Sequence, residues 1–175
     1  RALFGGQSSI VAIDENGATI WTHPLADGAT VTTPPVAGDF DLDGHVDVAF
    51  GTSDGSLEAI SCASVPPSTL WGPLNAGELE VQALGLADLD GDGLLEVAVA
   101  CGDLQYINAE SGSDAGYHVT LDGTAVSLAI GDADGDGSPE IVVGTSEGHV
   151  SLVRMGDTVW TRTLSGVPSA SAAMA

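Results

Sequence analysis

Lysine is absent from this 175-residue sequence, and arginine occurs only at Arg1, Arg154 and Arg162. Against these 3 basic residues stand 25 acidic ones, which gives a formal net charge of −22. Nucleic acids and anionic membrane surfaces are bound through Lys and Arg side chains. The composition therefore argues against a nucleic-acid partner and against an anionic membrane partner.

Cysteines and long apolar segments are also scarce. Cys62 and Cys101 are too few for a disulfide framework and are compatible with one disulfide or with two thiols. No segment approaches the ~20 apolar residues of a membrane-spanning helix. Hydrophobic residues nevertheless make up 43% of the chain, which distinguishes it from disordered acidic proteins. We expect a folded, well-cored protein that does not insert into a membrane.

Helical periodicity is missing as well. Apolar residues do not recur at sustained 3.6-residue intervals; short β-rich runs alternate with turn signals such as Asp54-Gly55, Asp122-Gly123 and Glu147-Gly148. The clearest runs lie at residues 46–51, 57–62, 96–101 and 140–145. The sequence thus predicts an all-β protein.

These runs belong to a repeat marked by acidic segments that begin at Asp39, Asp88 and Asp132, at intervals of 49 and 44 residues. Periods of roughly 40 to 50 residues are typical of β-propeller blades. Each unit reads as one strand, an acidic loop and three more strands, and in the first full unit the strands are predicted at 30–37, 46–51, 57–62 and 69–74. We predict a single domain over 1–175, a complete or partial propeller of about four four-stranded antiparallel blades. Its units are 29–76, 77–122 and 123–166, with a partial unit at 1–28 and the start of another strand at 167–175.

The incomplete ends leave two interpretations open. The sequence is either an excerpt from a longer array, or its terminal strand at 167–175 completes the incomplete first sheet, as in propeller closure.

A large aromatic residue recurs in the last strand of the unit, as Trp21, Trp71 and Trp160, with Tyr117 at the matching place. Such residues can stack on sugars, but recurrence at one position of every unit favours packing between neighbouring sheets. We therefore expect them in the core.

The acidic segments share the pattern D-x-D-x-D-G-x-x-[DE] at residues 39–47, 88–96 and 132–140, here called the first, second and third acidic loops. Calcium takes about 6–8 oxygen ligands, which alternating carboxylates at positions 1, 3 and 5 of a tight loop can supply in part. Glycine at position 6 permits the turn, position 7 can offer its backbone carbonyl, and the acid at position 9 closes the shell. The predicted ligands are Asp39, Asp41, Asp43, the His45 carbonyl and Asp47; Asp88, Asp90, Asp92, the Leu94 carbonyl and Glu96; and Asp132, Asp134, Asp136, the Ser138 carbonyl and Glu140.

Other metal sites fit the pattern less well. An EF-hand would place a bidentate Glu at position 12, followed by a helix, whereas position 12 here is Phe50, Val99 or Val143 inside a predicted strand. Zinc would need Cys or His ligands, and magnesium rarely uses an all-protein cage. A single loop could be a polar turn with solvated charge, but three copies in register favour about three calcium ions. Removing the metal should then destabilise the fold.

The segments GDFDLDGHVDVAFGT, ADLDGDGLLEVAVAC and GDADGDGSPEIVVGT, with the opening LFGG, resemble the FG-GAP (integrin-α-like, also VCBS-type) repeat family over essentially the whole chain. The resemblance implies a β-propeller of four-stranded antiparallel blades, with one calcium ion in a hairpin loop of each repeat and the acids named above as its ligands. The family usually has about seven blades, so the four units found here depart from its pattern.

Three functions are compatible with these features. The first is a non-catalytic, extracellular or cell-surface module that binds a protein or glycan, with calcium as structural support. The second is a structural subunit of an extracellular array, in which one copy's terminal strand completes the sheet of the next. The third is the propeller of a calcium-dependent polysaccharide lyase.

We expect no enzyme, because His23, His45, His118 and His149 are scattered singly. Sites of this type fill at the millimolar calcium found outside cells, which supports the location.

Overall fold

The computed structural model describes residues 2–165, which form fifteen β-strands in four antiparallel sheets and, within that range, no helix. The predicted strand at 167–175 lies outside the described residues. Residues 2–165 therefore contain no helix that could cross a membrane. The all-β prediction is confirmed.

Each sheet is a meander in which strands adjacent in sequence pair with each other. The first sheet has three strands: β1 (Ala2–Gly5), β2 (Ser9–Ile13) and β3 (Thr19–Pro24). The second contains β4 (Val36–Gly38), β5 (Asp47–Gly51), β6 (Ser56–Ser61) and β7 (Ser68–Asn75). The third contains β8 (Ala83–Ala87), β9 (Glu96–Cys101), β10 (Asp103–Asn108) and β11 (Asp114–Val119). The fourth contains β12 (Ala125–Gly131), β13 (Glu140–Thr145), β14 (His149–Arg154) and β15 (Asp157–Thr163).

The repeat pattern predicted these sheets with one clear error in the strand bounds. The first strand of the second sheet was predicted at 30–37, but β4 covers only Val36–Gly38, and Val31 forms an isolated bridge to Thr52. The dipeptide Pro34-Pro35 explains the difference, because proline has no N–H to donate to a neighbouring strand. The two cysteines, Cys62 and Cys101, are not joined by a disulfide.

The hydrophobic core consists of three layers, each between consecutive sheets. Strand β9 shows how one strand serves two layers: Val97 and Val99 pack towards the second sheet, whereas Ala98 and Ala100 pack towards the fourth. Successive side chains of a strand point to opposite faces, so a strand between two layers is apolar throughout. This explains the unbroken run EVAVAC, which is buried along its whole length.

The recurring tryptophans follow this layering. Trp21 and Trp71 are 5% and 7% exposed, as predicted, and the Trp71 indole Nε1–H donates a hydrogen bond to the Ala109 carbonyl at 2.6 Å in the next sheet. The prediction was wrong for Trp160, which is 40% exposed. Its equivalents pack onto the sheet that follows their own, and in the described part of the chain no sheet follows the fourth.

We expect Trp71→Ala to lower the free energy of unfolding by about 3–5 kcal/mol, because it removes a buried ring and leaves the Ala109 carbonyl without its donor. Trp160→Ala, the same substitution at the exposed equivalent, should cost far less. Chemical denaturation in the presence of calcium measures both changes. Equal losses for the two variants would contradict the layering described here.

Candidate metal centres

The three acidic loops occupy the same place in the second, third and fourth sheets. Each connects the first strand of its sheet to the second, and the closing strand pairs are Gly38 with Asp47, Ala87 with Glu96, and Gly131 with Glu140. Position 1 therefore directly follows one strand, and position 9 is the first residue of the next. The loops are hairpin connections of equal length, all at the same end of their sheets.

The aspartate at position 1 shapes each loop by accepting a backbone hydrogen bond from the glycine at position 6. These bonds join Gly44 to Asp39 (2.9 Å), Gly93 to Asp88 (3.1 Å) and Gly137 to Asp132 (2.9 Å). The three glycines have φ of 86°, 93° and 93°, a region that residues with a Cβ rarely adopt. The predicted need for glycine at position 6 is thus explained by the local backbone.

The carboxylates at positions 3 and 5 also accept hydrogen bonds from their own loop. Position 3 accepts the N–H of position 5, and position 5 accepts the N–H of position 7. These short-range bonds fold the loop around its own acids. The bonds from position 7 are the shorter ones, at 2.8 Å from His45, Leu94 and Ser138.

Carboxylate oxygens approach one another closely in every loop. In each case three acids offer one oxygen apiece, and all three oxygens lie within 4.8 Å of one another. The groups are Asp39, Asp41 and Asp43; Asp88, Asp90 and Glu96; and Asp132, Asp134 and Asp136. Asp47, Asp92 and Glu140 stand outside these closest groups. Ligation of a metal by any of these acids, and by the carbonyls of His45, Leu94 and Ser138, stays a prediction.

The acid at position 9 has a structural role that the sequence pattern did not reveal. Asp47, Glu96 and Glu140 are at most 1% exposed. One oxygen of each accepts the backbone N–H of loop position 2, from Phe40 at 2.9 Å, Leu89 at 2.7 Å and Ala133 at 2.8 Å. This carboxylate fastens the start of the loop to the start of the following strand.

Burial of these acids leaves part of their charge uncompensated within the protein. Asp39 Oδ1 and Asp47 Oδ1 are buried and accept no hydrogen bond from any described residue. Burial raises the pKa of Asp47, and it raises the pKa of Glu96 to about 7, with the charges of Asp90 and Asp92 adding to the effect. A buried carboxylate oxygen without a partner is costly. An oxygen-only donor set with such oxygens fits a hard cation such as calcium.

The third acidic loop differs because an arginine reaches into it. Arg154 Nε donates to Glu140 Oε1 at 2.7 Å, and its Nη2 contacts Glu140 and Asp134. Its Nη1 lies 3.5 Å from Asp136 Oδ2. These contacts raise the pKa of Arg154, and the hydrogen bond from Arg154 lowers the pKa of Asp134. Sequence analysis missed this residue, which lies 14 residues beyond the loop's last acid.

Part of the sequence that contains two of the acidic loops matches a known protein family. Residues 88–143, which contain the second and third acidic loops and the strands between them, match the FG-GAP-like repeat family. The chain carries an FG-GAP-like repeat. The predicted resemblance is confirmed for this segment. No curated protein matches the sequence.

Solved structures similar to this chain establish the fold. The BBS1 fragment BBS1N, in complex with ARL6DN, has a TM-score of 0.71 at 16% identity, over 94% of this chain and 50% of its own. Sqt1 from Saccharomyces cerevisiae has 0.69 at 12%, over 96% and 48%. The C-terminal domain of PilY1 from Pseudomonas aeruginosa has 0.65 at 18%, over 89% and 38%.

BBS1 and PilY1 are β-propeller proteins, so the four sheets described here are blades of a propeller fold. At these identities the likeness concerns the fold alone. The chain spans about half the length of BBS1N and Sqt1, and less of the PilY1 domain.

We expect Asp47→Asn to lower the melting temperature in calcium but not in excess chelator. In excess chelator the melting temperature should stay the same or rise, because the substitution removes a buried charge that Asp41 and Asp43 repel. In calcium it should fall by about 2–10 °C, since the substitution removes the charge of a predicted ligand. The amide oxygen of Asn can still accept the Phe40 N–H.

Asp27→Asn is the matched control, because it removes the same charge from a position outside all three acidic loops. Differential scanning fluorimetry in both buffers measures the four shifts. An equal shift for Asp47→Asn in calcium and in chelator would show that Asp47 does not respond to the cation.

Proposed function

We propose that this chain is a non-catalytic, calcium-binding β-propeller module that works outside the cell or at its surface and binds a protein or glycan. The observation that carries the proposal is the acidic hairpin loop repeated at the same edge of three consecutive blades. In each loop three carboxylates converge to within 4.8 Å. Calcium would act there as a structural ion that holds the blades, and a ligand would bind elsewhere on the propeller.

The charge distribution supports a cation at these loops. The loops hold 12 of the chain's 25 acidic residues. Within the described residues, only the third loop receives a positively charged side chain. Like charges this close repel one another, and a divalent ion converts that repulsion into attraction. Calcium binding would then add to the free energy of folding.

The calcium supply supports an extracellular location. Sites built on surface hairpin loops of this kind belong with extracellular modules, which bind calcium at about 10⁻⁴–10⁻³ M. The cytosol holds far less free calcium than that, so such sites would stay empty there.

The arrangement of the histidines supports a binding role over catalysis. Three histidines, in β3, β11 and β14, each lie close to one acid. The pairs are His23 with Glu58 at 3.6 Å, His118 with Asp114 at 2.9 Å, and His149 with Asp122 at 3.3 Å. A base, an acid and a cation gathered around one substrate position would favour a lyase. The three pairs are far apart along the chain, and each joins one histidine to one acid; only the His118–Asp114 pair is exposed on both sides.

A cavity of about 580 Å³ at one end of the third sheet also disfavours a lyase that acts on acidic sugars. It opens at the end of the sheets opposite the acidic loops, where Cys101, Gly102 and Asp103 join β9 to β10. Its lining includes the acids Glu78 and Asp103 and the ring of His118, and no arginine. This lining favours a neutral glycan or a peptide with basic groups over an anionic sugar.

A propeller of this fold can hold a protein partner. BBS1N was crystallised in complex with ARL6DN, and it shares this fold over 94% of the present chain. This precedent supports a protein ligand as one option for the module proposed here.

The calcium part of the proposal predicts that millimolar calcium raises the melting temperature by several degrees over excess chelator. The same concentration of magnesium should raise it less. Replacing the first aspartate of all three loops, in Asp39→Asn/Asp88→Asn/Asp132→Asn, should abolish the calcium response, since each Asn keeps an acceptor for the glycine N–H but loses the charge.

The matched control removes three charges outside the loops, with Glu15→Gln/Asp27→Asn/Asp157→Asn, and should keep the full calcium response. Isothermal titration calorimetry on the same proteins gives the affinity. A wild-type protein whose melting temperature and calorimetric heat are indifferent to calcium would refute the calcium-binding role.

A second candidate function, a subunit of an extracellular array, is favoured by the edge of the first sheet. The counterparts of β1 in the other sheets are β5, β9 and β13, each flanked by a strand on both sides. Strand β1 pairs with β2 and, within residues 2–165, with no other strand. Such an edge can accept a strand from another copy by β-augmentation.

The array function predicts a mass that rises with protein concentration in calcium, above the 17.4 kDa of one chain. Light scattering coupled to size-exclusion chromatography measures it over a concentration series. A constant mass of one chain at all concentrations would exclude the array and leave the binding module.

A further inference from the structure

The third acidic loop differs from the other two at one cross-strand position. In each of the three sheets that carry an acidic loop, the acid at loop position 9 begins the second strand and faces a residue of the third strand. Asp47 pairs with Ser61, and Glu96 pairs with Asn108. In the fourth sheet Ile141 pairs with Val153, so the adjacent Glu140 faces Arg154. Two of the three facing residues are neutral, and the third is a guanidinium.

Arg154 uses its guanidinium to contact three of the four acids of its loop. Nε and Nη2 reach Glu140 Oε1 at 2.7 and 2.6 Å, Nη2 also reaches Asp134, and Nη1 is 3.5 Å from Asp136. Asp134 and Asp136 are two of the three acids whose oxygens converge in this loop. The positive charge therefore lies against the oxygens that a divalent ion would use.

The first and second loops have no such charge. Arg154 and Arg162 are the only arginines among the described residues, and no ion pair within residues 2–165 reaches either loop. In the first loop Asp39 Oδ1 and Asp47 Oδ1 are buried without a hydrogen-bond donor. Within the described residues, the acids of these two loops have no positively charged partner, whereas those of the third loop have Arg154.

We propose that Arg154 is a built-in counter-ion of the third acidic loop, so that the chain binds two divalent ions more tightly than a third. This inference rests on the proposed calcium binding. A divalent ion entering the third loop must displace the guanidinium from Asp134, Asp136 and Glu140 or lie beside its charge. Either event lowers affinity, because loop sites of this type are tuned by the net charge of their ligands.

A consequence follows for the protein without calcium. The loop between β12 and β13 should keep its shape in chelator. Arg154, in β14, contacts Asp134 near the start of that loop and Glu140 at its end. The first and second loops should loosen under the same conditions. The fourth sheet would then be the least calcium-dependent of the three that carry an acidic loop.

The amide groups of Gly44, Gly93 and Gly137 provide one reporter in each loop, because each donates its N–H to the first aspartate of its own loop. We expect a calcium titration followed by ¹⁵N–¹H NMR to shift Gly44 and Gly93 together. Gly137 should shift only at free calcium at least ~10-fold higher. This measurement uses the wild-type chain and needs no variant to fold.

Arg154→Asn gives the fourth sheet the residue type of Asn108, which faces Glu96 in the third sheet. Isothermal titration calorimetry should then show three calcium ions bound with similar affinity instead of two. The substitution should also lower the melting temperature in chelator and enlarge the rise caused by calcium. Arg162→Asn is the matched control: it removes the same charge from β15, outside the loop, and should leave the stoichiometry at two.

The outcomes separate this inference from the proposed function. If none of the three glycines responds to calcium, the proposed calcium binding fails, and this inference fails with it. If all three respond at the same calcium concentration, calcium binding stands and the counter-ion role of Arg154 is refuted. A stoichiometry of two in both the wild type and Arg154→Asn would also refute that role.

Discussion

A buried carboxylate at the start of an interior strand is the feature on which the loops and the blades both depend. Asp47, Glu96 and Glu140 are almost fully buried and hold the second residue of their loops through its N–H. A single amide does not neutralise a buried anion, and the other acids of the same loop raise its electrostatic energy further. A cation close by, from solution or from the chain, would therefore stabilise the charged form of each of these carboxylates.

The same carboxylates begin the strands that separate the hydrophobic layers. Strand β5 places Val48 and Phe50 in the layer beneath the first sheet and Ala49 in the layer above the third. Strand β9 divides its residues between layers in the same way. A change at the loop acid is transmitted to two layers, because the strand it begins has no face that can move independently. Loop charge and core packing are thus coupled in one element.

Much of the fold could be predicted because each unit repeats its own turn signals and strand periodicity. The apolar run of β9 and the loop spacing place the interior strands without reference to other parts of the chain. Features that depend on a neighbouring sheet could not be predicted in this way. Trp160 has the same local pattern as Trp71, yet it is exposed because no sheet packs over it in residues 2–165. Nothing in the local sequence distinguishes the two tryptophans.

In the acidic loops, too, the local pattern could be predicted from the sequence, whereas the contact with the next strand could not. The pattern D-x-D-x-D-G-x-x-[DE] describes the three loops equally and predicts about three equivalent ions. Each loop's electrostatic balance, however, also depends on the residue that faces position 9 from the next strand: Ser61, Asn108 or Arg154. That residue lies 12 to 14 positions after the acid, outside the pattern. If the loops bind calcium as proposed, the charge at the facing position would change how much the acids gain from an external ion, and the number of ions bound would depend on the strand pair as well as on the loop.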